Sequence, residues 1–291
     1  MNSGQSSSVI EQMTGMAIAE QARRFTYCLT DDSGEAKLGT AVAIRVKEHF
    51  FLATAAHVVQ GGRNIRVLVR NQIAWDVSDF VARHYDNRRD VGLLELSLGN
   101  SHRFEFLTPN RLCLTIDEEQ ELPVMVVGFP GQFCAVEQVD LTTDSLLQFV
   151  ACNTLSFHTA LLPRSKWPID GLLDTHGGDA QLADGLDMLI DYEPEHEVKP
   201  FTPKTIGNEN AAVQCTSLDP RGMSGGGIWL AQITETRERL SYPDVCLIGL
   251  QVGWYPRRNL LHGIRIGGWF DLLRERYPEL GEALRTLDAR S

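Results

Sequence analysis

Long hydrophobic runs are missing from this chain. No stretch approaches the roughly 20 apolar residues that a helix needs to cross a bilayer. Residues 1–8 are polar and serine-rich, and they lack the basic start and apolar run of a secretory signal. The six cysteines show no Cys-x-x-Cys spacing, so without an export signal we expect reduced thiols. The sequence therefore predicts a cytoplasmic protein with no membrane contact.

An excess of positive charge is also missing. The chain has 27 Lys and Arg against 38 Asp and Glu, a formal net charge of −11, which argues against direct binding to nucleic acid. Nine of the acidic residues lie between Asp170 and Lys199, with His176 and His196 among them. No ligand spacing recurs there, so we interpret the segment as a solvated acidic loop and expect neither a metal nor a cofactor.

What the chain does have is 43% hydrophobic residues, enough for a substantial core. They fall into short runs with polar turns between them, six from residue 25 to residue 96 and a second set from residue 122 to residue 266. This spacing predicts an all-β protein with an antiparallel barrel or sandwich. Helical spacing predicts a short helix over 9–24 and an amphipathic helix over 270–287, kinked or split at Pro278.

A glycine-rich stretch, Gly222-Met223-Ser224-Gly225-Gly226-Gly227, lies between two apolar runs and is typical of a tight turn between strands. A serine in such a turn can expose its hydroxyl while the amides of Gly222 and Ser224 converge on one point. That arrangement suits the oxyanion of acyl transfer. A plain turn remains the alternative for this stretch taken by itself.

A histidine and an aspartate complete the set needed for nucleophilic catalysis. His57 follows the apolar run that ends at Ala55, where a general base would face a cleft. Asp90 opens the run from Val91 to Leu96, where a carboxylate can orient an imidazole. A structural histidine and an ordinary turn residue are the alternatives.

Together these motifs resemble the trypsin-like (chymotrypsin-fold) serine peptidases, and the bacterial high-temperature-requirement branch in particular. The resemblance covers about residues 25 to 270. It is carried by Gly39-Thr40-Ala41, Thr54-Ala55-Ala56-His57, Asp90-Val91-Gly92-Leu93-Leu94, Gly128-Phe129-Pro130, Gly222-Met223-Ser224-Gly225-Gly226 and Ile248-Gly249-Leu250.

The resemblance implies two six-stranded antiparallel β-barrels with a C-terminal helix and a short N-terminal helix. Residues 1–24 are then an N-terminal extension, and 25–120 form the first barrel, which carries His57 and Asp90. Residues 121–270 form the second barrel, which carries Ser224 and an acidic insertion at about 168–200. Residues 271–291 are the C-terminal helix. No separate peptide-binding (PDZ) domain is expected after Ser224.

The same resemblance assigns roles. Ser224 is the nucleophile, His57 the general acid and base, and Asp90 the residue that orients it, with the amides of Gly222 and Ser224 as the oxyanion hole. An edge strand including Gln251, Val252 and Gly253 is expected to pair with an extended substrate. Leu218 near the base of the specificity pocket favours an apolar or small side chain, whereas Asp219 would favour Arg or Lys.

The implied function is a serine endopeptidase that cleaves specific protein substrates. The acidic insertion suggests a gate that a partner protein or a ligand opens, and stand-alone cytoplasmic members of this family often serve bacterial defence or signalling systems. A peptide-binding module without catalysis and an esterase with the same triad remain alternatives.

Overall fold

The structure is a computed structural model of the 291-residue chain. It describes residues 17–31, 37–60, 64–68, 80–131, 134–142, 145–152, 154–168, 172–173, 179–180, 182, 185–192, 219–232 and 244–288. Residues 17–24 are helical and form α1, which matches the second half of the helix predicted over 9–24. Ile18 and Ala22 of α1 are buried in the same cluster as the first sheet, so α1 packs on the body of the protein.

The first sheet contains six antiparallel strands. They are β1 (Thr26–Asp31), β2 (Lys37–Val46), β3 (His49–Thr54), β4 (Ile65–Leu68), β5 (Phe80–Asp86) and β6 (Val91–Leu96), and the short helix α2 (Ala56–Val59) follows β3. Their order in the sheet is β4-β1-β2-β3-β6-β5. Short turns join β2 to β3 and β5 to β6, which is what the polar breaks in the sequence predict.

The chain then crosses to the second half of the molecule. It passes through a short helix, α3 (Leu98–Ser101), and a single 3₁₀ turn at Pro109–Arg111. Two isolated parallel bridges fix this crossing, Ile44 with Leu107 on the first sheet and Leu112 with Leu247 on the second. The connection is therefore held against both sheets.

The second half closes into a barrel. Its strands are introduced here in chain order: β7 (Leu122–Gly128), β8 (Cys134–Thr142), β9 (Ser145–Cys152), β10 (Leu155–Leu161), β11 (Leu172–Leu173), β12 (Asp179–Ala180), β13 (Asp187–Asp191), β14 (Gly227–Gln232), β15 (Asp244–Tyr255) and β16 (Leu260–Arg265). Six of them form the closed barrel, in the order β10-β13-β16-β15-β14-β7. Met188, Ile228 and Leu261 share a buried cluster within it.

One sequence prediction about the second half is corrected here. Asp187–Asp191, expected inside a single acidic insertion over 168–200, is the barrel strand β13, paired with β16 along its whole length. The aspartates at both ends give this segment an acidic composition, but the apolar run from Met188 to Ile190 between them is fully buried. The strand β9 pairs with β8 in a separate two-stranded sheet and is not part of the barrel.

The C-terminal residues return to the first sheet. The predicted helix is two helices, α4 (Ile266–Arg276) and α5 (Gly281–Asp288), separated by a 3₁₀ turn at Pro278–Leu280. The C-terminal helix therefore starts before residue 271, and Pro278 splits it because proline has no amide hydrogen to continue the helical bonds. Trp269 of α4 packs edge-on against Phe51 of β3, with ring centroids 6.0 Å apart.

The predicted fold class is confirmed: two six-stranded antiparallel sheets with short helices and a helical C-terminus. The second sheet is a closed barrel. The end strands of the first, β4 and β5, are not paired with each other within the described part of the chain. In the helices that the structure describes, none is long and apolar enough to cross a membrane.

Candidate active site

His57 and Asp90 meet because they flank two neighbouring antiparallel strands. β3 ends at Thr54, β6 begins at Val91, and Thr54 pairs with Gly92 across the two strands. A residue just after β3 and one just before β6 therefore lie at the same edge of the sheet. Gly92 permits close packing there, since a Cβ would lie 2.9 Å from the Ala55 carbonyl oxygen.

Three contacts join the two side chains. His57 Nδ1 lies 2.9 Å from Asp90 Oδ2 and 3.1 Å from Oδ1, and the His57 backbone N–H donates to Oδ1 at 3.1 Å. Because a carboxylate only accepts, Nδ1 carries the proton and Nε2 is the ring nitrogen left to act as a base. The histidine side chain is 47% exposed and the aspartate 32%, so the pair lies at the surface and not in the core.

The turn that holds Asp90 is fixed from two sides. Asp90 has a φ of +47°, in the left-handed region that aspartate tolerates better than most residues. Next to it, Arg89 Nη1 contacts Asp86 Oδ2 at 3.0 Å and Glu275 Oε1 of α4 at 3.2 Å. These bonds raise the pKa of the Arg89 guanidinium against the opposing effect of its burial. Through Arg89, helix α4 thus helps to hold the turn that carries Asp90.

Ser224 lies in the turn before β14, and that turn requires glycine. Gly222 and Gly225 have φ values of +94° and +88°, which cost little only without a Cβ. At Gly225 a Cβ would also lie 2.0 Å from the Thr40 carbonyl oxygen and 2.2 Å from Thr54 Oγ1. The turn therefore packs directly against β2 and β3 of the first sheet.

Thr40 joins the two halves at this point. Its N–H donates to the Ser224 carbonyl oxygen at 2.8 Å. Its Oγ1 donates to the Gly222 carbonyl oxygen at 3.1 Å and accepts from the Phe129 N–H at 3.0 Å. Thr40 is fully buried, so the loss of any of these bonds would leave a buried polar group unsatisfied and lower the stability of the fold. The sequence marked Thr40 only as part of a family motif, and no local pattern reveals that it binds the serine turn.

The amide of Gly222 points away from Gly131. The Arg221 carbonyl oxygen, in the same peptide unit, accepts from the Gly131 N–H at 2.6 Å. In a trans peptide the N–H and the carbonyl point in opposite directions, and all peptide bonds described here are trans. The Gly222 N–H donates to no acceptor among the described residues.

The amide of Ser224 is arranged in the same way. The Met223 carbonyl oxygen accepts from the Gly226 N–H at 2.7 Å, so the Ser224 N–H is directed to the other side. It too lacks an acceptor within the described ranges. Two free amide donors, two residues apart, are what an oxyanion hole requires.

The serine turn and the helix of the histidine lie on either side of Gly39. A Cβ at Gly39 would be 2.7 Å from the Ser224 carbonyl oxygen and 2.7 Å from Val58 Cγ2 of α2. Ser224 and His57 are thus brought to the same rim of the interface. For the residues described, no hydrogen bond joins Ser224 Oγ to the His57 ring.

Asp219, the carboxylate expected in the specificity pocket, forms an ion pair with Arg221. Asp219 accepts from Arg221 through the backbone N–H at 3.0 Å and through Nε at 2.6 Å, and the bonds to the Arg221 side chain lower the pKa of the Asp219 carboxyl. An Arg or Lys of a substrate would have to share this carboxylate with Arg221 or displace Arg221 from it. Leu218, the other predicted pocket residue, lies outside the described residues.

The predicted substrate strand is only partly an edge. Gln251 exchanges two backbone bonds with the serine turn, donating to the Gly226 carbonyl at 2.8 Å and accepting from the Gly225 N–H at 2.6 Å. The backbone N–H and carbonyl of Gln251 are therefore already hydrogen-bonded within the protein. From Val252 to Tyr255, β16 is the strand neighbour of β15 in the described structure. Val252 and Gly253 stay candidates for pairing with a substrate.

No group of three or more His, Cys, Asp or Glu side chains that could hold a metal is present among the residues the structure describes. His176 and His196 lie outside those residues. Three cysteines in the described ranges, Cys28, Cys113 and Cys246, are not part of a disulfide bond.

Comparisons with known proteins give distant similarities. No family model and no curated protein matches the sequence. Among solved structures, kallikrein-related peptidase 10 is similar with a TM-score of 0.48 and 12% identity, over 89% of this chain and 97% of that one. A second structure comes from a study of aromatic interactions in the coupled folding and binding of the intrinsically disordered Sesbania mosaic virus VPg protein. It has a TM-score of 0.41 and 11% identity, over 82% and 85% of the two chains.

Proposed function

We propose that this chain is a serine endopeptidase that cleaves protein substrates through an acyl-enzyme. Ser224 is the nucleophile, His57 the general acid and base, and Asp90 the residue that orients the imidazole. One observation carries the proposal: the carboxylate of Asp90 holds His57 Nδ1 at 2.9 Å, on the same rim as a serine turn with two free amides. No step of this chemistry needs a metal or a cofactor.

In the first step, Nε2 of His57 removes the proton of Ser224 as its Oγ attacks a peptide carbonyl. The carbonyl oxygen becomes an oxyanion and accepts from the N–H groups of Gly222 and Ser224. Each such donor contributes about 10²–10³ in rate in comparable sites. The imidazolium then gives its proton to the leaving amine, and water releases the acyl group by the same sequence of events.

A peptide fits this site better than a simple ester. From Val252 to Tyr255, β15 has β16 as its strand neighbour in the described structure, so its other side can pair with an extended main chain. Added strands of this kind bind peptides through backbone hydrogen bonds. This supports the peptidase over an esterase with the same triad.

Labelling with a fluorophosphonate probe tests the proposal. The native chain is expected to be labelled, and Ser224→Ala and His57→Ala are expected to lose the label. Ser156→Ala is a matched control, because Ser156 lies on β10 and accepts from Arg23. Labelling that survives Ser224→Ala would contradict the assignment of the nucleophile.

A peptide-binding module without catalysis is the second candidate. The lack of a bond between Ser224 Oγ and the His57 ring, among the described residues, agrees with it. A folded chain that binds peptides but takes no label, even with its cellular partners present, would establish this candidate.

The finer expectations belong to the same proposal. They are an origin near the bacterial high-temperature-requirement branch, a cytoplasmic location, and an activity gated by a partner protein or ligand in a defence or signalling system. Labelling rates measured with and without a candidate activator test the gate. Equal rates in both conditions would remove it.

A further inference from the structure

Two cysteines meet where the crossing between the two halves, residues 97–121, touches the second barrel. Cys113 follows Leu112, and Cys246 precedes Leu247, in the isolated parallel bridge that joins these two leucines. The Cys113 N–H donates to the Leu247 carbonyl oxygen at 3.0 Å. The two cysteines therefore flank one bridged pair, although they come from segments far apart in the chain.

Both cysteine side chains lie on the same face of this bridge. Successive residues of an extended chain point to opposite faces. Leu112 and Leu247 both pack in the buried cluster that contains the core of the first sheet, so the cysteines next to them point the other way. In agreement with this, Cys113 packs against the cluster inside the second barrel, as does Leu230, the strand partner of Cys246.

The two thiols are in direct contact. A side-chain hydrogen bond joins Cys113 and Cys246, and neither is part of a disulfide bond in this structure. Cys113 Sγ also contacts the Thr115 carbonyl oxygen at 3.0 Å, and Cys246 Sγ contacts the Leu230 carbonyl oxygen at 3.7 Å. Sulfurs in hydrogen-bonding contact can reach disulfide geometry without a rearrangement of the fold.

The two thiols differ in their surroundings. Cys113 is half-buried, whereas Cys246 is 2% exposed. The hydrogen bond from Cys246 lowers the pKa of Cys113, and the same bond, together with burial, raises the pKa of Cys246. Because the thiolate is the form that reacts with oxidants, we expect Cys113 to be oxidised first and Cys246 to attack it afterwards.

We propose that Cys113 and Cys246 form a reversible redox site that a peroxide oxidises to a disulfide. The Cys113 sulfur breaks the oxygen–oxygen bond of the peroxide, and it becomes a sulfenic acid while the other oxygen leaves as water. The Cys246 sulfur then displaces the hydroxyl group, which takes the Cys246 proton and leaves as a second water. Two thiols thus lose two electrons and two protons to one hydrogen peroxide, and a dithiol reductant returns them.

The disulfide would fix the crossing to β15. The crossing also bridges the first sheet, through Leu107 and Ile44. β15 continues to Gln251, whose backbone bonds to the serine turn. A covalent link between segments so distant in the chain restricts the unfolded state and stabilises the fold.

Titration of the native chain with hydrogen peroxide tests the proposal. Alkylation of the remaining thiols and peptide mass spectrometry are expected to show one linked pair of peptides, with Cys113 in one and Cys246 in the other. The melting temperature is expected to rise by about 5 °C or more on oxidation. A dithiol reductant is expected to reverse both changes.

Two variants remove one thiol each. Cys113→Ser and Cys246→Ala are both expected to lose the linked peptides and the rise in melting temperature, each measured against its own reduced form. In Cys246→Ala the sulfenic acid on Cys113 has no thiol to attack it, so a 1,3-dione reagent is expected to label Cys113 after peroxide treatment. Cys28→Ala is the control, because Cys28 lies in β1 of the first sheet, and it is expected to keep both effects.

Three outcomes would overturn the proposal. They are the absence of a link between Cys113 and Cys246 in the oxidised native chain, a sulfenic acid on Cys113 that persists there, and a rise in melting temperature that survives Cys113→Ser. These measurements use neither peptide hydrolysis nor the fluorophosphonate label. Their result is therefore independent of Ser224 and of the proposed function.

Discussion

His57 and Asp90 lie at one edge of the first sheet. Ser224 lies in the turn before β14 of the second barrel, and contacts with the first sheet fix its position. The histidine and the aspartate flank paired strands and bond to each other directly. The serine turn depends on Gly222 and Gly225 with positive φ and on Thr40 across the interface. The positions of His57 and Asp90 are therefore set within one sheet. The position of Ser224 depends on the packing of the two halves against each other.

This difference predicts different kinds of sensitivity. A change in the acid–base pair is expected to reduce the chemical step and leave folding intact. A change in the serine turn is expected to reduce stability and activity together, because the same contacts hold the two halves and set the amides. Four substitutions test this contrast, in order of decreasing expected effect.

Asp90→Asn is expected to reduce kcat/KM by about 10⁴-fold with little change in stability. Asparagine also tolerates a positive φ, but its NH₂ group would donate to Nδ1 and leave the proton on Nε2, where it blocks the base. Hydrolysis of a peptide and a thermal melt measure the two effects. Asp117→Asn is the control, since Asp117 only accepts from the Glu119 N–H in an exposed turn. A large loss of stability in Asp90→Asn would break the contrast.

Gly225→Ala is expected to lower the free energy of unfolding by about 3 kcal/mol or more and to remove most labelling. Its Cβ would collide with Thr40 and Thr54, and the φ of +88° is strained for alanine. Gly267→Ala in α4 is the matched control, because no atom lies within 4 Å of its Cβ. The control is expected to be neutral or more stable by up to about 1 kcal/mol. Equal losses in urea denaturation would show that the turn is not pressed on the first sheet.

Thr40→Val keeps the shape of the residue and removes its hydroxyl. The Gly222 carbonyl and the Phe129 N–H then lose their partner, so we expect about 1–3 kcal/mol less stability and a lower kcat. Thr108→Val is the control, because the Thr108 hydroxyl bonds Asn110 at the surface. Unchanged kcat with lower stability would mean that Thr40 joins the halves without setting the amides.

Arg89→Met is expected to have the smallest effect. The bonds of Arg89 to Asp86 and Glu275 are partly exposed, and such pairs contribute roughly 0–1 kcal/mol. As a positioning residue for Asp90, Arg89 is expected to lower kcat a few-fold with KM unchanged, and high salt is expected to reduce the difference from the native chain. Arg24→Met, which removes the exposed bond to Glu105, is expected to change neither. A change in KM alone would contradict the positioning role.

Much of the fold follows from patterns that are local in the chain. Short apolar runs with polar turns predicted five strands of the first sheet closely, for example Val91 to Leu96, but not β5 at Phe80–Asp86. β13 was missed because acidic residues on both sides masked a run of three apolar residues. Pairing with β16 decides that strand, and pairing between distant segments leaves no local signal.

In the candidate site, too, some features are visible in the sequence and others depend on contacts between distant segments. The residue types His57, Asp90 and Ser224 were predictable because their chemistry and their positions at the ends of apolar runs are visible in the sequence. The roles of Thr40 and Arg89 were not, since each acts through contacts with residues far away in the chain.

The sequence by itself determined the strand-rich architecture, the glycines of the serine turn and the three residue types of the proposed chemistry. These depend on periodicity, on the freedom of glycine at positive φ and on functional groups, all of which are local properties. Only the tertiary structure decided that His57 bonds Asp90, that Thr40 docks the turn, and that the main chain of Gln251 bonds to Gly225 and Gly226. Those facts depend on which surfaces are buried against each other, and burial is a property of the whole fold.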